Sequence, residues 1–215
     1  MSSPSSRIGG VAGLLFAGGV LLQNAVLLQG NPLPAASLDQ VSAFYAGRGG
    51  PVSLAVGWVA FNIPLLLTFG GAVARRLEAH EAAAIWGRVG FGGVVLLAGA
   101  FTSTTWLQAV LVARAADLAA SGQLALVWDL HSAAFSASGT ALAVTMGAFS
   151  IGAWQESLVP RWTAGLGLLG ALSLLGAGLL AVGTITGGPG IFLQLGGFGA
   201  WVVWLLTASV RLLRA

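Results

Sequence analysis

The 215-residue chain divides into six long apolar stretches, separated by short segments that carry most of its arginines. The stretches lie near residues 8–28, 52–74, 89–112, 125–151, 162–184 and 191–210. Each is close to the length of about 20 residues that a helix needs to cross a hydrocarbon core of about 30 Å. The runs lack the alternation of barrel strands, and a span in lipid must hydrogen-bond its own backbone. The sequence therefore predicts an all-α polytopic membrane protein, with six transmembrane helices forming one domain over residues 1–215.

Composition excludes a soluble globular domain. Apolar residues make up 57% of the chain and charged residues 7%, against about 25% charged residues in soluble domains. The absence of cysteine excludes disulfides, thiol catalysis and cysteine-ligated zinc. The basic residues lie at span ends rather than in one patch, which indicates membrane anchoring and not a nucleic-acid partner.

The arginines also predict the orientation in the membrane. An even number of spans places both termini on one side. Seven arginines share that side and two, Arg48 and Arg114, lie on the other. The positive-inside bias therefore predicts cytoplasmic termini. Among the cytoplasmic residues we interpret four as topology anchors: Arg75, Arg76, Arg161 and Trp162. Trp128, near the opposite end of span four, is predicted to lie at the outer interface.

The first outer loop has a helix signature of its own. Ser37 and Gln40 have capping-box spacing ahead of an apolar run, which predicts a short amphipathic helix. Gly47 to Pro51 should end that helix, so that it lies flat over the outer mouth of the bundle, either as a lid or simply resting on the interface. In span two, Pro64 predicts a kink. Small residues such as Gly9 and Gly13, or Gly167 and Ala171, predict close helix packing.

Polar residues inside the spans cluster toward the outer side, where an outward-opening pocket would explain them. Asp129, Ser132, Ser136 and Thr140 follow helical spacing along span four. His131 lies about 200° around that helix from Asp129, so the two form no ready-made dyad. Asp129 is better explained as an interfacial carboxylate that reaches water or pairs with Arg114 than as a functional acid. The candidate ligand-binding residues are Asn24, Asn62, Thr104, Gln108, Asp129, His131 and Ser136.

Several chemistries lack the residues they need. SASG at Ser136 to Gly139 departs from the GxSG of six-span serine proteases of the rhomboid type, and span six contains no histidine as a base. The two histidines fall on opposite sides of the membrane, which excludes bis-histidine haem. No lysine is present for a retinal Schiff base, and too few ligands are available for zinc. We therefore predict no catalytic residues, no metal and no cofactor.

One segment resembles a known family. ESLVPRWTAGLGLLGALSLLGAGLL, residues 156 to 180, places Pro160-Arg161-Trp162 at a cytoplasmic turn before a Gly/Leu-rich fifth span. With the six-span plan, this is similar to the prokaryotic domain-of-unknown-function family four thousand three hundred eighty-six. The resemblance implies a multi-pass protein of a bacterial or archaeal plasma membrane, and it supplies no catalytic residues.

Three functions remain open from the sequence. The first is a binding or carrier bundle in which the outward-facing polar pocket holds a small amphiphilic ligand or a lipid. The second is a structural or accessory subunit that packs on a membrane-protein partner or on a second copy of this chain. The third is an intramembrane enzyme that uses Asp129 or His131 as its acid–base group.

Overall fold

The computed structural model describes residues 4–27 and 29–214, which form eight α-helices and no strand. The helices are α1 (Pro4–Leu27), α2 (Leu38–Gly57), α3 (Val59–Glu78), α4 (Glu81–Ala120), α5 (Leu124–Gln155), α6 (Arg161–Leu179), α7 (Ala181–Ile185) and α8 (Gly190–Arg214). Six helical segments are long and apolar enough to cross a membrane, with α2 and α3 counted as one. The all-α bundle of six spans predicted from the sequence is confirmed.

The six spans form a closed ring in chain order. α1 packs on α3, α3 on α4, α4 on α5, α5 on α6 and α6 on α8, and α8 returns to α1. We call the end of the ring that holds Pro4 and Arg214 the terminal face, and the opposite end the distal face. The four predicted anchors, Arg75, Arg76, Arg161 and Trp162, are all exposed near the terminal face.

Small residues allow the helices of the ring to approach closely. A Cβ atom on Gly9 of α1 would overlap Ala72 of α3, and one on Gly13 would overlap Ser209 of α8. Gly167 of α6 lies equally close to Ser150 of α5. Because lipid provides no hydrophobic drive between helices, such close contacts are what hold a transmembrane bundle together. The packing role predicted for these glycines agrees with the structure.

The first connection on the distal face differs from its prediction. The capping box is present: Gln40 N donates to Ser37 Oγ at 3.3 Å, and Ser37 N donates to Gln40 Oε1 at 3.0 Å. The first helical run of α2 ends in the glycine-rich segment, as predicted, because the backbone leaves helical geometry at Arg48 (φ −124°, ψ 19°). A second helical run then continues to Gly57. α3 remains helical through Pro64, where the kink stays a prediction. The break between α2 and α3 falls at Trp58.

α2 packs mainly against α4, and its position flat over the outer mouth stays a prediction. α4 has 40 residues and is about 60 Å long at 1.5 Å per residue, about twice a hydrocarbon core. Its distal part joins α2 and the start of α5 in a second apolar core, separate from that of the ring. The members of this core are Val41, Phe44, Tyr45, Val52, Leu111, Ala115, Leu124 and Trp128.

Candidate functional site

The ring encloses a cavity of about 250 Å³ in its distal half. Its walls come from the distal parts of α1, α3, α4, α5 and α8, with Leu174 of α6. Residues 31–34, in the connection between α1 and α2, close part of its mouth. Ligand pockets generally have about 300–1,000 Å³, so this cavity suits a small molecule or part of a larger one.

The lining combines apolar side chains with neutral polar ones. Phe16, Phe101, Phe135, Leu142 and Phe198 are among the apolar members. None of the lining residues found in the described ranges is Asp, Glu or Arg. The polar members are Gln23, Asn24, Asn31, Asn62, Thr104, Thr105, Gln108, Trp128, His131, Ser132, Ser138 and Gln194. The cavity can thus form many hydrogen bonds but offers no counter-charge to an ion, whose burial without a partner is costly.

Five of the seven candidate residues from the sequence line this cavity: Asn24, Asn62, Thr104, Gln108 and His131. Asp129 is exposed and Ser136, although buried, is absent from the lining. The expectation that these two residues contribute to the pocket is therefore wrong. Arg114, the other partner considered for Asp129, pairs with Asp117 at 3.1 Å.

The orientation of α5 explains this correction. The helix presents Trp128, His131, Phe135, Ser138 and Leu142 to the cavity, at spacings of three or four residues that define one helical face. At about 100° per residue, Asp129 lies about 160° from His131 in one direction and about 200° in the other. With one residue buried in the cavity and the other exposed, no acid–base pair can form between them.

His131 is held against Trp128 within the cavity wall. The two rings are stacked, with centroids 5.1 Å apart and planes inclined by 14°. Trp128 Nε1 donates to the Pro34 carbonyl oxygen at 3.2 Å, which ties the α1–α2 connection to α5. Trp128 is 4% exposed, so its predicted role as an interface anchor is replaced by one in the cavity wall. Neither ring nitrogen of His131 has a hydrogen-bond partner among the described residues.

The cavity amides are held by hydrogen bonds that use their NH₂ groups. Asn62 Nδ2 donates to Gln23 Oε1 at 3.2 Å, and Gln194 Nε2 donates to the Phe135 carbonyl oxygen at 3.1 Å. Asn24 Nδ2 donates to the Val20 carbonyl oxygen at 2.8 Å. The oxygens Asn62 Oδ1 and Gln194 Oε1 are buried and have no donor among residues 4–27 and 29–214. Both oxygens are thus unpaired but closed off from the open space of the cavity.

The hydroxyl groups of the wall are mostly used within their own helices. Thr104 and Thr105 donate to the carbonyl oxygens four residues earlier, at 2.9 and 2.7 Å. Ser138 Oγ donates to the Phe135 carbonyl oxygen at 2.6 Å. Ser132 Oγ, by contrast, is buried and has no partner within the described part of the chain. It can serve as both donor and acceptor.

An aromatic cluster lies beneath the cavity. Phe16 and Phe198 line the cavity and each contacts the Trp201 ring, with centroids 5.6 Å apart in both cases. Below them, Phe149 and Trp204 are stacked at 6.0 Å. These rings fill the centre of the terminal half of the ring, which has no central helix, so the cavity extends only toward the distal face.

Seven polar residues that line the cavity were not among the candidates from the sequence: Gln23, Asn31, Thr105, Trp128, Ser132, Ser138 and Gln194. Gln194 is an isolated polar residue near the start of span six, and Gln23 lies next to Asn24 in span one. The sequence predicts that both residues lie toward the distal face, but it does not predict whether their side chains point into the bundle or toward the lipid. Asn31 lies in a connection for which no structure was predicted.

Comparison of this chain with family models, curated proteins and solved structures found no match. Among residues 4–27 and 29–214, no three His, Asp or Glu side chains form a group that could hold a metal ion.

Proposed function

We propose that this protein is a membrane-embedded binding or carrier protein for a small, uncharged, amphiphilic molecule. The observation that carries the proposal is the cavity wall, which joins apolar surface to a set of neutral hydrogen-bonding groups without any charged side chain. A purely structural bundle would be more stable with that space filled by apolar side chains, because unpaired buried polar atoms are costly.

We further propose that the termini are cytoplasmic and that the cavity opens on the outer side of a prokaryotic plasma membrane. Seven arginines lie toward the terminal face, whereas Arg48 and Arg114 lie in the distal half. Anchoring of basic residues at the cytoplasmic surface favours this orientation. Membership of the family named above stays a prediction, resting on residues 156 to 180 and the six-span plan.

The test compares two adjacent positions on α4. Thr104 lines the cavity, whereas Ser103 is exposed on the outside of the bundle, and both hydroxyls donate to a carbonyl oxygen four residues earlier. Thr104→Phe should fill part of the cavity, and Ser103→Phe adds the same ring to the lipid-facing surface. Wild type and both variants are purified in native lipid and analysed by native mass spectrometry.

We expect a reproducible small molecule bound to the wild type and to Ser103→Phe, and its loss from Thr104→Phe. Equal occupancy in all three proteins would place the molecule outside the cavity and contradict the proposal. A co-purifying protein subunit in all three, with no small molecule in any, would support the accessory role instead.

A further inference from the structure

The cavity wall is more accessible at α1 and α8 than elsewhere. The polar lining residues on the described parts of α3, α4 and α5 are all buried. On α1, by contrast, Gln23, Asn24 and Leu27 line the cavity and are only half-buried. On α8, Leu195 lines the cavity although 53% of its surface is exposed. We therefore looked for an opening of the cavity where α1 and α8 meet.

The close contacts between α1 and α8 lie toward the terminal face. A Cβ atom on Gly10 of α1 would lie 2.7 Å from Leu213 Cγ of α8, and the Phe16 ring contacts the Trp201 ring. Leu195 lies about five turns of α8 before Leu213 on the same face, since one turn takes about 3.6 residues. That face is packed on α1 at Leu213 but is more than half exposed at Leu195. The two helices therefore part in the distal half.

The distal ends of the two helices are held by different neighbours. Leu27, at the end of α1, packs against the second apolar core, which α2, α4 and the start of α5 form. Near the start of α8, Gln194 Nε2 donates to the Phe135 carbonyl oxygen of α5. Among residues 4–27 and 29–214, no hydrogen bond, ion pair or ring contact joins α1 beyond Phe16 to α8 before Trp201. We call the space between residues 20–27 of α1 and 190–198 of α8 the side gap.

The α1–α2 connection covers the side gap on the distal face. Residues 31–34 line the cavity there. The Pro34 carbonyl oxygen accepts from Trp128 Nε1 of α5, and a Cβ atom on Gly187, shortly before α8, would overlap Ala35. Because the connection is tied to both sides of the bundle, the side gap opens below it, through the wall of the bundle.

The surface around the side gap is apolar. Leu21 and Leu22 of α1 and Phe192 and Leu195 of α8 are all exposed. Both helices are long and apolar enough to cross a membrane, and the exposed apolar surface of such helices contacts hydrocarbon. The side gap therefore faces lipid rather than water.

We infer that the cavity opens sideways into the bilayer through the side gap, and that its ligand is a lipid with an uncharged polar head. The head group lies among the amides and hydroxyls of the cavity, and the hydrocarbon chain leaves between Asn24 and Leu195 into the membrane. The cavity of about 250 Å³ is below the range of about 300–1,000 Å³ for pockets that enclose most of a ligand, so a long chain has to stay outside. This inference rests on the proposed function, since it names the ligand class and the entry route of the same cavity.

The test uses two probes with the same glycerol head, 1-monooctanoylglycerol and 1-monooleoylglycerol, at equal mole fraction in lipid nanodiscs. The oleoyl chain is more than twice as long as the octanoyl chain. Bound probe is counted by native mass spectrometry, and non-specific binding is subtracted with Thr104→Phe, in which the cavity is filled. Leu195→Trp adds bulk where the chain leaves the cavity. Its matched control, Phe192→Trp, adds bulk to the exposed surface of the same helix at a residue that does not line the cavity.

We expect the wild type to bind both probes with similar affinity, because a chain that leaves through the side gap can have any length. Leu195→Trp should bind 1-monooleoylglycerol about tenfold more weakly, and Phe192→Trp should bind it as the wild type does. The wild-type comparison needs no substitution, so a folding defect of Leu195→Trp cannot decide the result alone.

Specific binding of the octanoyl probe alone would mean that the cavity encloses its ligand, which would overturn the inference and leave the proposed function standing. Equal binding of the oleoyl probe by the wild type and Leu195→Trp would also overturn it, since the chain would then leave elsewhere. If neither probe bound but another small molecule was lost from Thr104→Phe, only the inference would fail. If no molecule distinguished the wild type from Thr104→Phe, both proposals would fail.

Discussion

Gly93 and Gly92 are adjacent in α4 but differ in what an added methyl group would meet. A Cβ atom on Gly93 would lie 2.6 Å from Thr145 Oγ1, 2.7 Å from the Thr145 backbone nitrogen and 3.0 Å from its Cα. Gly92 faces outward and has nothing within 4 Å of the same position. Gly93→Ala therefore tests the close packing of α4 on α5, and Gly92→Ala is its matched control.

The two substitutions should have different effects on the free energy of unfolding. Overpacking a tight contact costs about 1–3 kcal/mol. Two of the three atoms near Gly93 belong to the backbone of α5 and cannot rotate away, so the helices must separate and the upper part of that range applies. At Gly92 alanine meets no atom and gains up to about 1 kcal/mol of helix propensity. That gain shrinks when the unfolded state in detergent keeps its helices.

The measurement is unfolding in mixed micelles with increasing dodecyl sulfate, followed by tryptophan fluorescence. We expect Gly93→Ala to unfold about 2–3 kcal/mol more easily than Gly92→Ala. If the two variants unfolded at the same detergent fraction, the α4–α5 contact would not be the close backbone approach described above, and the packing argument for the ring would fail.

Three further predictions concern the distal face. Trp128→Phe removes the donor to the Pro34 carbonyl, so hydrogen exchange of residues 29–37 should rise about two- to tenfold, whereas exposed Trp106→Phe should leave it unchanged. Ser37→Ala should destabilise the start of α2 by about 1 kcal/mol, which should appear as faster hydrogen exchange in the first turn of the helix. The control is Ser53→Ala at an exposed position, and an equal effect of this variant would contradict the capping role of Ser37. Gly187 has a φ of +84°, and a Cβ atom there would overlap the Ala35 side chain, so Gly187→Ala should lower the detergent fraction at which half of the protein is unfolded. Gly183 has no neighbour within 4 Å of the same position, so Gly183→Ala should leave that midpoint unchanged.

The bundle could be predicted because each span carries its own signal. Hydropathy and length fix six helices, and the capping box at Ser37 fixes the start of α2. The breaks at Trp58 and Leu180 were not predicted, because neither position carries a turn signal in the sequence. Pro64 and the glycines near Arg48 do carry such signals. At Arg48 the backbone leaves helical geometry, whereas α3 stays helical through Pro64.

The candidate site could be predicted only in part, for a related reason. Depth in the membrane follows from position along the chain, which put Thr104 and Gln108 in the outer half and Asn62 near the midplane. All three line the cavity. Which side of a helix points into the bundle depends on the helices that it packs against. In α5 the polar stripe from Asp129 to Thr140 was taken as the inward face, but only Ser132 of that stripe lines the cavity, beside the face that carries His131.

The position of the cavity follows from how the ring is filled. Six helices in a ring leave space along the axis, and in the terminal half the rings of Phe149, Trp201 and Trp204 occupy it. In the distal half α5 contributes small residues, Ser132, Ser138 and Gly139, and the space stays open. Larger apolar side chains there would fill the space, and at Ser132 they would also remove an unpaired hydroxyl. The small residues at these positions support the proposal that the cavity holds a ligand.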